Sequence, residues 1–234
     1  MEISKGTILG NSGIGIFGLA TDKYAIVPFG IKETTKELIE KTLECKIIQN
    51  SVANTVLLGT MLAGNSKTLL IPPNMTETEY NNFSQLGELD VEIVEIKSKY
   101  TALGNLILLN DKGAVISEIF EKKAQKQIED ALGIETTVGN ILSSPLVGTT
   151  GLATNRGCLV HPLTTEEEKR ELASLLKVKV DLTTVNRGVP YPKIGIIANS
   201  TGAFVGEDTT GPESMRIFEL LLSCLLYTSP SPRD

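Results

Sequence analysis

Five turn-like tetrapeptides recur along this chain at a nearly constant interval: Thr21-Asp22-Lys23-Tyr24, Asn65-Ser66-Lys67-Thr68, Asn110-Asp111-Lys112-Gly113, Thr154-Asn155-Arg156-Gly157 and Asn199-Ser200-Thr201-Gly202. They begin at residues 21, 65, 110, 154 and 199, so the period is about 44 residues. A fixed period of this size is the signature of a repeat architecture. Asn, Asp and Gly suit tight turns because they tolerate positive φ. After each turn comes a three-residue apolar run: Ala25-Ile26-Val27, Leu69-Leu70-Ile71, Ala114-Val115-Ile116, Cys158-Leu159-Val160 and Ala203-Phe204-Val205. Six residues before each of the first four turns stands a glycine: Gly15, Gly59, Gly104 and Gly148.

Each period reads as strand, hairpin turn, strand, helix, strand. Thr34/Glu37, Thr76/Glu79, Thr164/Glu167 and Thr210/Glu213 match the Thr-x-x-Glu capping box and mark four helix starts, with Pro212 expected at the first helical position. The third helix lacks a box, but Phe120, Ala124, Ile128 and Leu132 are spaced by four, one face of a helix. Third strands are expected near Cys45–Gln49, Val91–Ile96, Ile134–Val138 and Val178–Leu182. The four glycines are expected to open the first strands where these converge on an axis, because close backbone approach favours Gly.

Glu2–Leu9 has the phase of a third strand with no first or second strand before it, and the fifth helix ends near Leu222 with no third strand after it. The N-terminal strand is therefore expected to complete the fifth repeat and close the five units into a ring with few free sheet edges. Residues 1–222 form one domain of the α/β class on this reading. Residues 223–234, with Pro at alternate positions and no phase with the repeat, read as a non-native or disordered tail.

Chemistry is sparse. The single histidine, His161, comes directly after the apolar run of repeat four, where the other repeats have Pro28, Pro72, Ser117 and Gly206, so it reads as a strand exit. Cys158 lies in the strand just before it and reads as a buried thiol. Cys45, Cys158 and Cys224 are too few and too scattered for a disulfide framework or a metal site, and fit a reducing cytoplasm. Gly10-Asn11-Ser12-Gly13-Ile14-Gly15 leads into a strand rather than a helix, which argues against a phosphate cradle. No cofactor is expected. No run of eighteen apolar residues spans a membrane, and no signal peptide is evident. The net charge of −6 excludes a broad phosphate-binding surface and favours basic proteins as contacts.

Longer words carry a resemblance. Tyr100-Thr-Ala-Leu-Gly-Asn-Leu-Ile, Asn110-Asp-Lys-Gly, Gly157-Cys-Leu-Val-His-Pro, Thr184-Val-Asn-Arg-Gly and Gly206-Glu-Asp-Thr-Thr-Gly-Pro-Glu together resemble the translation initiation factor 6 family in its archaeal form, over roughly residues 1–222. The resemblance implies a pentein fold, a five-bladed αβ propeller of ββαβ units about a pseudo-fivefold axis. It also implies a monomer that binds the large ribosomal subunit, mainly through ribosomal proteins beside the sarcin–ricin loop, and blocks joining of the small subunit. A part in late large-subunit maturation is implied too, with release by an SBDS-type protein and an elongation-factor-like GTPase. By motif it points to Asn105, Asn186 and Arg187 as ribosome-binding positions. Two departures stand out. Asn50-Ser-Val-Ala-Asn54 replaces a smaller Gly-containing loop, and Lys193 stands where the fifth repeat would have its axial glycine. The same fold hosts guanidine-modifying hydrolases and transferases with a late Cys nucleophile. Here the only late Cys is Cys224, in the odd tail, so no enzyme is expected; a maturation scaffold that never blocks subunit joining is a third reading.

Overall fold

Each second strand is the centre of a small sheet. The computed structural model describes residues 2–222 and contains five three-stranded sheets. In the first, Tyr24–Pro28 pairs antiparallel with Leu19–Ala20 and parallel with Lys46–Asn50. The same arrangement recurs around Thr68–Ile71, Gly113–Ser117 and Gly157–Val160. Every residue of these central strands is buried. A strand covered on both faces needs a continuous apolar run rather than an alternating one, and each hairpin turn leads into such a run.

The fifth sheet is assembled from both ends of the chain. Ile196–Ala198 pairs antiparallel with Gly202–Gly206, and Glu2–Gly6 pairs parallel with the same strand in the register Glu2↔Gly202 to Gly6↔Gly206. The N-terminal segment thus takes the third-strand place of repeat five, although it ends at Gly6 rather than Leu9. The other third strands run Lys46–Asn50, Glu92–Glu95, Glu135–Gly139 and Lys179–Leu182, within two residues of expectation.

Outer helices cover the sheets at Glu33–Leu43, Glu77–Asn82 (continued as a 3-10 segment, Phe83–Leu89), Lys122–Leu132, Glu166–Leu176 and Gly211–Leu221. Capping boxes form at Thr76/Glu79 and Thr210/Glu213. The fourth box is Thr165/Glu168, one residue later than expected. Both Thr164 and Thr165 have Glu three residues on, and burial of Thr164 leaves the neighbouring hydroxyl to cap. The first helix has no box: it starts at Glu33 from an extended Lys32, which places Thr34 and Glu37 inside it. Pro212 is at the second helical position, still in the first turn, where its missing N–H has no intrahelical partner to lose.

The glycines before the hairpins do not open strands. They sit in one-turn helical segments at Ile14–Ile16, Leu58–Met61, Leu103–Leu106 and Val147–Thr150, and Lys193 sits in the fifth, Pro192–Gly195. These axial turns contact one another in sequence, and the fifth contacts the first. The reason for glycine stands. A Cβ on Gly59 would collide with the Gly15 carbonyl, one on Gly104 with that of Gly59, one on Gly148 with that of Gly104, and one on Gly15 with the Lys193 carbonyl.

The core is divided among five clusters, each shared by two successive repeats. Tyr24, Ile26 and Ile48 of the first repeat pack with Leu69, Phe83 and Leu86 of the second. Ile197 and Phe204 of the fifth pack with Ile14, Ile39 and Leu43 of the first, joined by Ile8. No repeat has a core of its own. Among the described residues no helix is long and apolar enough to cross a membrane.

Candidate functional site

The topology sorts the loops onto two faces. Second and third strands run parallel, so the loops after both emerge at one end, and the axial turns begin at that same end because the first strands are antiparallel to the second. This is the loop face. The hairpin turns and the C-termini of the outer helices form the opposite, hairpin face.

Ten large apolar side chains are exposed among the described residues, and seven of them lie on the loop face: Leu9, Phe29, Val56, Leu57, Leu146, Leu163 and Tyr191. Leu57, Leu146 and Tyr191 occupy the same repeat position, the residue that starts an axial turn. Apolar exposure gathered on one face makes that face the candidate interaction surface.

Asn105 lies in the third axial turn, half-buried, at the inner edge of this patch. Its backbone N–H bonds the Ala102 carbonyl, and its carboxamide makes no hydrogen bond among the described residues. It is therefore free to bond a partner rather than tying its own loop. Asn186 differs. Its Nδ2 donates to the Ser12 carbonyl at 2.7 Å, its Oδ1 accepts from Thr209 Oγ1 at 3.0 Å, and its own N–H donates to the same hydroxyl at 3.3 Å. That side chain is spent joining repeat five to the N-terminal loop. Arg187 is exposed beside it and pairs loosely with Asp208 at 3.7 Å. Such an exposed pair is worth little in water and leaves the guanidinium available. Asn105 and Arg187 thus share the loop face, while Asn186 supports it.

The loops after four third strands are tight turns with left-handed residues: Leu9 and Gly10, Ala53 and Asn54, Leu142 and Ser143, Asn186 and Arg187. Most of these carry side chains that disfavour positive φ. Three are held by a carboxylate from the next outer helix. Glu79 accepts from Ala53 N and Asn54 N, Glu168 from Leu142 N, and Glu213 from Gly188 N, Arg187 N and Thr184 Oγ1. The Glu of each capping box therefore also clamps the neighbouring loop. Burial alone would raise the Glu213 pKa, but the bonds from Thr184 Oγ1, Thr210 N and Gly188 N outweigh it and hold the carboxyl down to about 2. Glu79 and Glu168 are lowered in the same way. These clamps are hidden in the sequence, where Thr-x-x-Glu signals a helix start and nothing about a loop some 26 residues away.

The thiol of Cys158 is wholly buried, and burial pushes its pKa up to about 12, far from a nucleophile's. His161 is buried against Tyr191, ring centroids 5.0 Å apart, and its Nδ1 accepts from Leu163 N at 3.1 Å. Burial lowers its pKa. It shapes the loop bearing Leu163 rather than serving Cys158. Cys224 lies outside the described residues, as does the whole tail expected over 223–234.

The eIF-6 family profile matches residues 3–220. The chain belongs to the eIF-6 family. It is 43% identical over 216 residues to translation initiation factor 6 of Methanococcus vannielii, covering 91% of this chain and 95% of that protein. It is 42% identical over 211 residues to translation initiation factor 6 of Pyrococcus horikoshii, covering 89% and 93%. Among solved structures, the N-terminal domain of the cyanobacterial arginine dihydrolase ArgZ, as a C264S mutant bound to substrate, superposes with a TM-score of 0.51 at 11% identity, covering 82% of this chain and 72% of that one. At that identity the likeness is one of fold. The eIF-6 member shares with the dihydrolase a repeated α/β architecture, and the family's relatives are translation factors.

Proposed function

We propose that this protein acts in translation initiation by docking its loop face on the large ribosomal subunit, so that its bulk keeps the small subunit from joining. The observation that carries the reading is the apolar loop face around Asn105, on a chain whose relatives are named translation initiation factor 6. The role is stoichiometric and steric, with no catalytic step. The net charge of −6 favours basic ribosomal proteins over rRNA as the main contact. The same reading includes a closed pentein ring, supported by the pairing of Glu2–Gly6 with Gly202–Gly206 and by the contact of the fifth axial turn with the first. A monomer working in the cytoplasm fits it, as does a part in late large-subunit maturation with release by an SBDS-type protein and an elongation-factor-like GTPase.

An interface of about 800 Å² per partner suffices for specific binding, and nanomolar affinity corresponds to about −12 kcal/mol. Subunit reassociation on sucrose gradients, with the factor titrated, tests the proposal. Blocking should saturate at one factor per large subunit. Full blocking at far lower ratios would point to catalysis, and binding without blocking would leave a maturation scaffold.

A further inference from the structure

A cavity of ≈ 60 Å³ runs along the middle of the molecule, lined by all five repeats. Its lining is uneven. At the hairpin end it meets Asp22 and Asp111; at the axial-turn end it meets Gly104, Gly148 and Lys193. Asp22, Asp111 and Lys193 are the three charged side chains of the lining.

The two carboxylates are fully engaged. Asp22 accepts from Ser200 N at 2.7 Å, Ser200 Oγ at 2.9 Å and Asn155 Nδ2 at 2.8 Å. Asp111 accepts from Ser66 N and Ser66 Oγ, both at 2.8 Å, and from Asn155 Nδ2 at 2.6 Å. Lys193 is the opposite case. Its side chain is partly buried where it lines the cavity and has neither an ion pair nor a hydrogen bond among the described residues, while the first four repeats place glycine at its position. Leaving a charge away from bulk water without a partner is costly, and the cost falls when a counter-ion enters.

We propose that the central cavity is a binding site for one small monovalent anion, of chloride size, held by the ammonium of Lys193. The cavity volume fits it: a single water needs about 10–15 Å³, so the space holds one such ion with a few waters. The axial turns bring carbonyl oxygens close to their neighbours' backbones, and those repel an anion, so the ion belongs beside the ammonium and away from the carbonyls. A divalent or organic anion is too large or too highly charged for a lining with a single cation. Burial brings the Lys193 pKa down to about 8, so the ammonium is still mostly charged at neutral pH. The site does not depend on the docking reading.

Two measurements test the site on the full chain. Crystals soaked in sodium bromide should show an anomalous peak within hydrogen-bond distance of Lys193 Nζ. Thermal unfolding should be measured in sodium chloride against sodium gluconate at equal ionic strength. Chloride at ten times its Kd should raise Tm by about 3–6 °C, and the rise should shrink as pH passes 8, where the ammonium loses its proton. Lys193→Gly restores the residue of the other four axial turns, and Lys193→Met keeps the volume without the charge; both should abolish the chloride-specific rise. A wild-type Tm identical in the two salts, an empty anomalous map at the ammonium, or an undiminished chloride effect in Lys193→Met would each overturn the proposal.

Discussion

The hairpin face and the loop face are built from the same repeats, yet they spend their polar groups in opposite ways. On the hairpin face the side chains satisfy one another across repeat boundaries. Asn110 Nδ2 donates to the carbonyls of Thr154 and Leu176, Asn199 Nδ2 donates to those of Thr21 and Leu43, and Asn155 bridges Asp111 and Asp22. Little is left over for a partner. On the loop face the strained turns are clamped from below by Glu79, Glu168 and Glu213, and the outward-pointing groups are apolar surface and an unpartnered carboxamide. The difference teaches that one end spends its side chains fastening the repeats to each other, while the other leaves apolar surface exposed, and it is this second end that the proposed docking uses.

The largest expected effect comes from removing the strand on which both faces hang. Deleting residues 2–9 takes the partner from Gly202–Gly206 and pulls Ile8 from the cluster that joins repeats five and one. A loss of about 5 kcal/mol or more is expected, most of a total of roughly 5–15 kcal/mol. Urea unfolding measures it. A deletion that leaves the midpoint unchanged would break the idea that the two faces share one frame.

Crossed substitutions sharpen the contrast. Asn105→Ala and Leu57→Ser should weaken large-subunit binding by about 2 kcal/mol, near thirtyfold, with Tm unchanged. Asn155→Ala should do the reverse, costing about 1–3 kcal/mol of stability because two carboxylates lose a donor, with binding unchanged below the transition. Co-sedimentation and calorimetry on the same three variants decide it. If Asn155→Ala also released the subunit, the division of labour between the faces would be wrong.

The smallest effect is a pH dependence confined to the loop face. The folded Glu213 pKa of about 2 lies below its unfolded value. The unfolded chain therefore binds the proton first as pH falls, and the clamp's contribution is complete above about pH 4.5 and drains away toward pH 2. Because Glu213 is partly exposed, about 1–2 kcal/mol is the expected size. Glu213→Gln should flatten the fall in stability between about pH 4.5 and 2.5. An unchanged acid limb would mean that the turn at Asn186 and Arg187 is held by something else.

Much of this arrangement is legible in the sequence because its causes are local. Asn and Gly mark hairpins, Thr76 and Glu79 mark a helix start, and a strand with the phase of Glu2–Gly6 has one vacancy to fill. The axial turns read as strand openings in the sequence because Leu103-Gly104-Asn105-Leu106 is too short to show a helical period and runs straight into Ile107–Leu109. The left-handed turns are hidden for a different reason. Ala53 and Leu142 disfavour that conformation, and the carboxylates that hold them there come from helices later in the chain. The same holds at the candidate site: Asn105 and Asn186 look alike as words, and only the neighbours of each amide tell a free group from a fastened one.

The pairing of Glu2–Gly6 with Gly202–Gly206 also sets a clock on the protein's birth. A chain made at about 5–20 residues per second has its first strand waiting roughly 10–40 s for its partner. Until then the first repeat has a bare core flank where Ile197 and Phe204 will sit. A newborn copy therefore cannot complete its fifth sheet until residues 202–206 have been made and have cleared the ribosome.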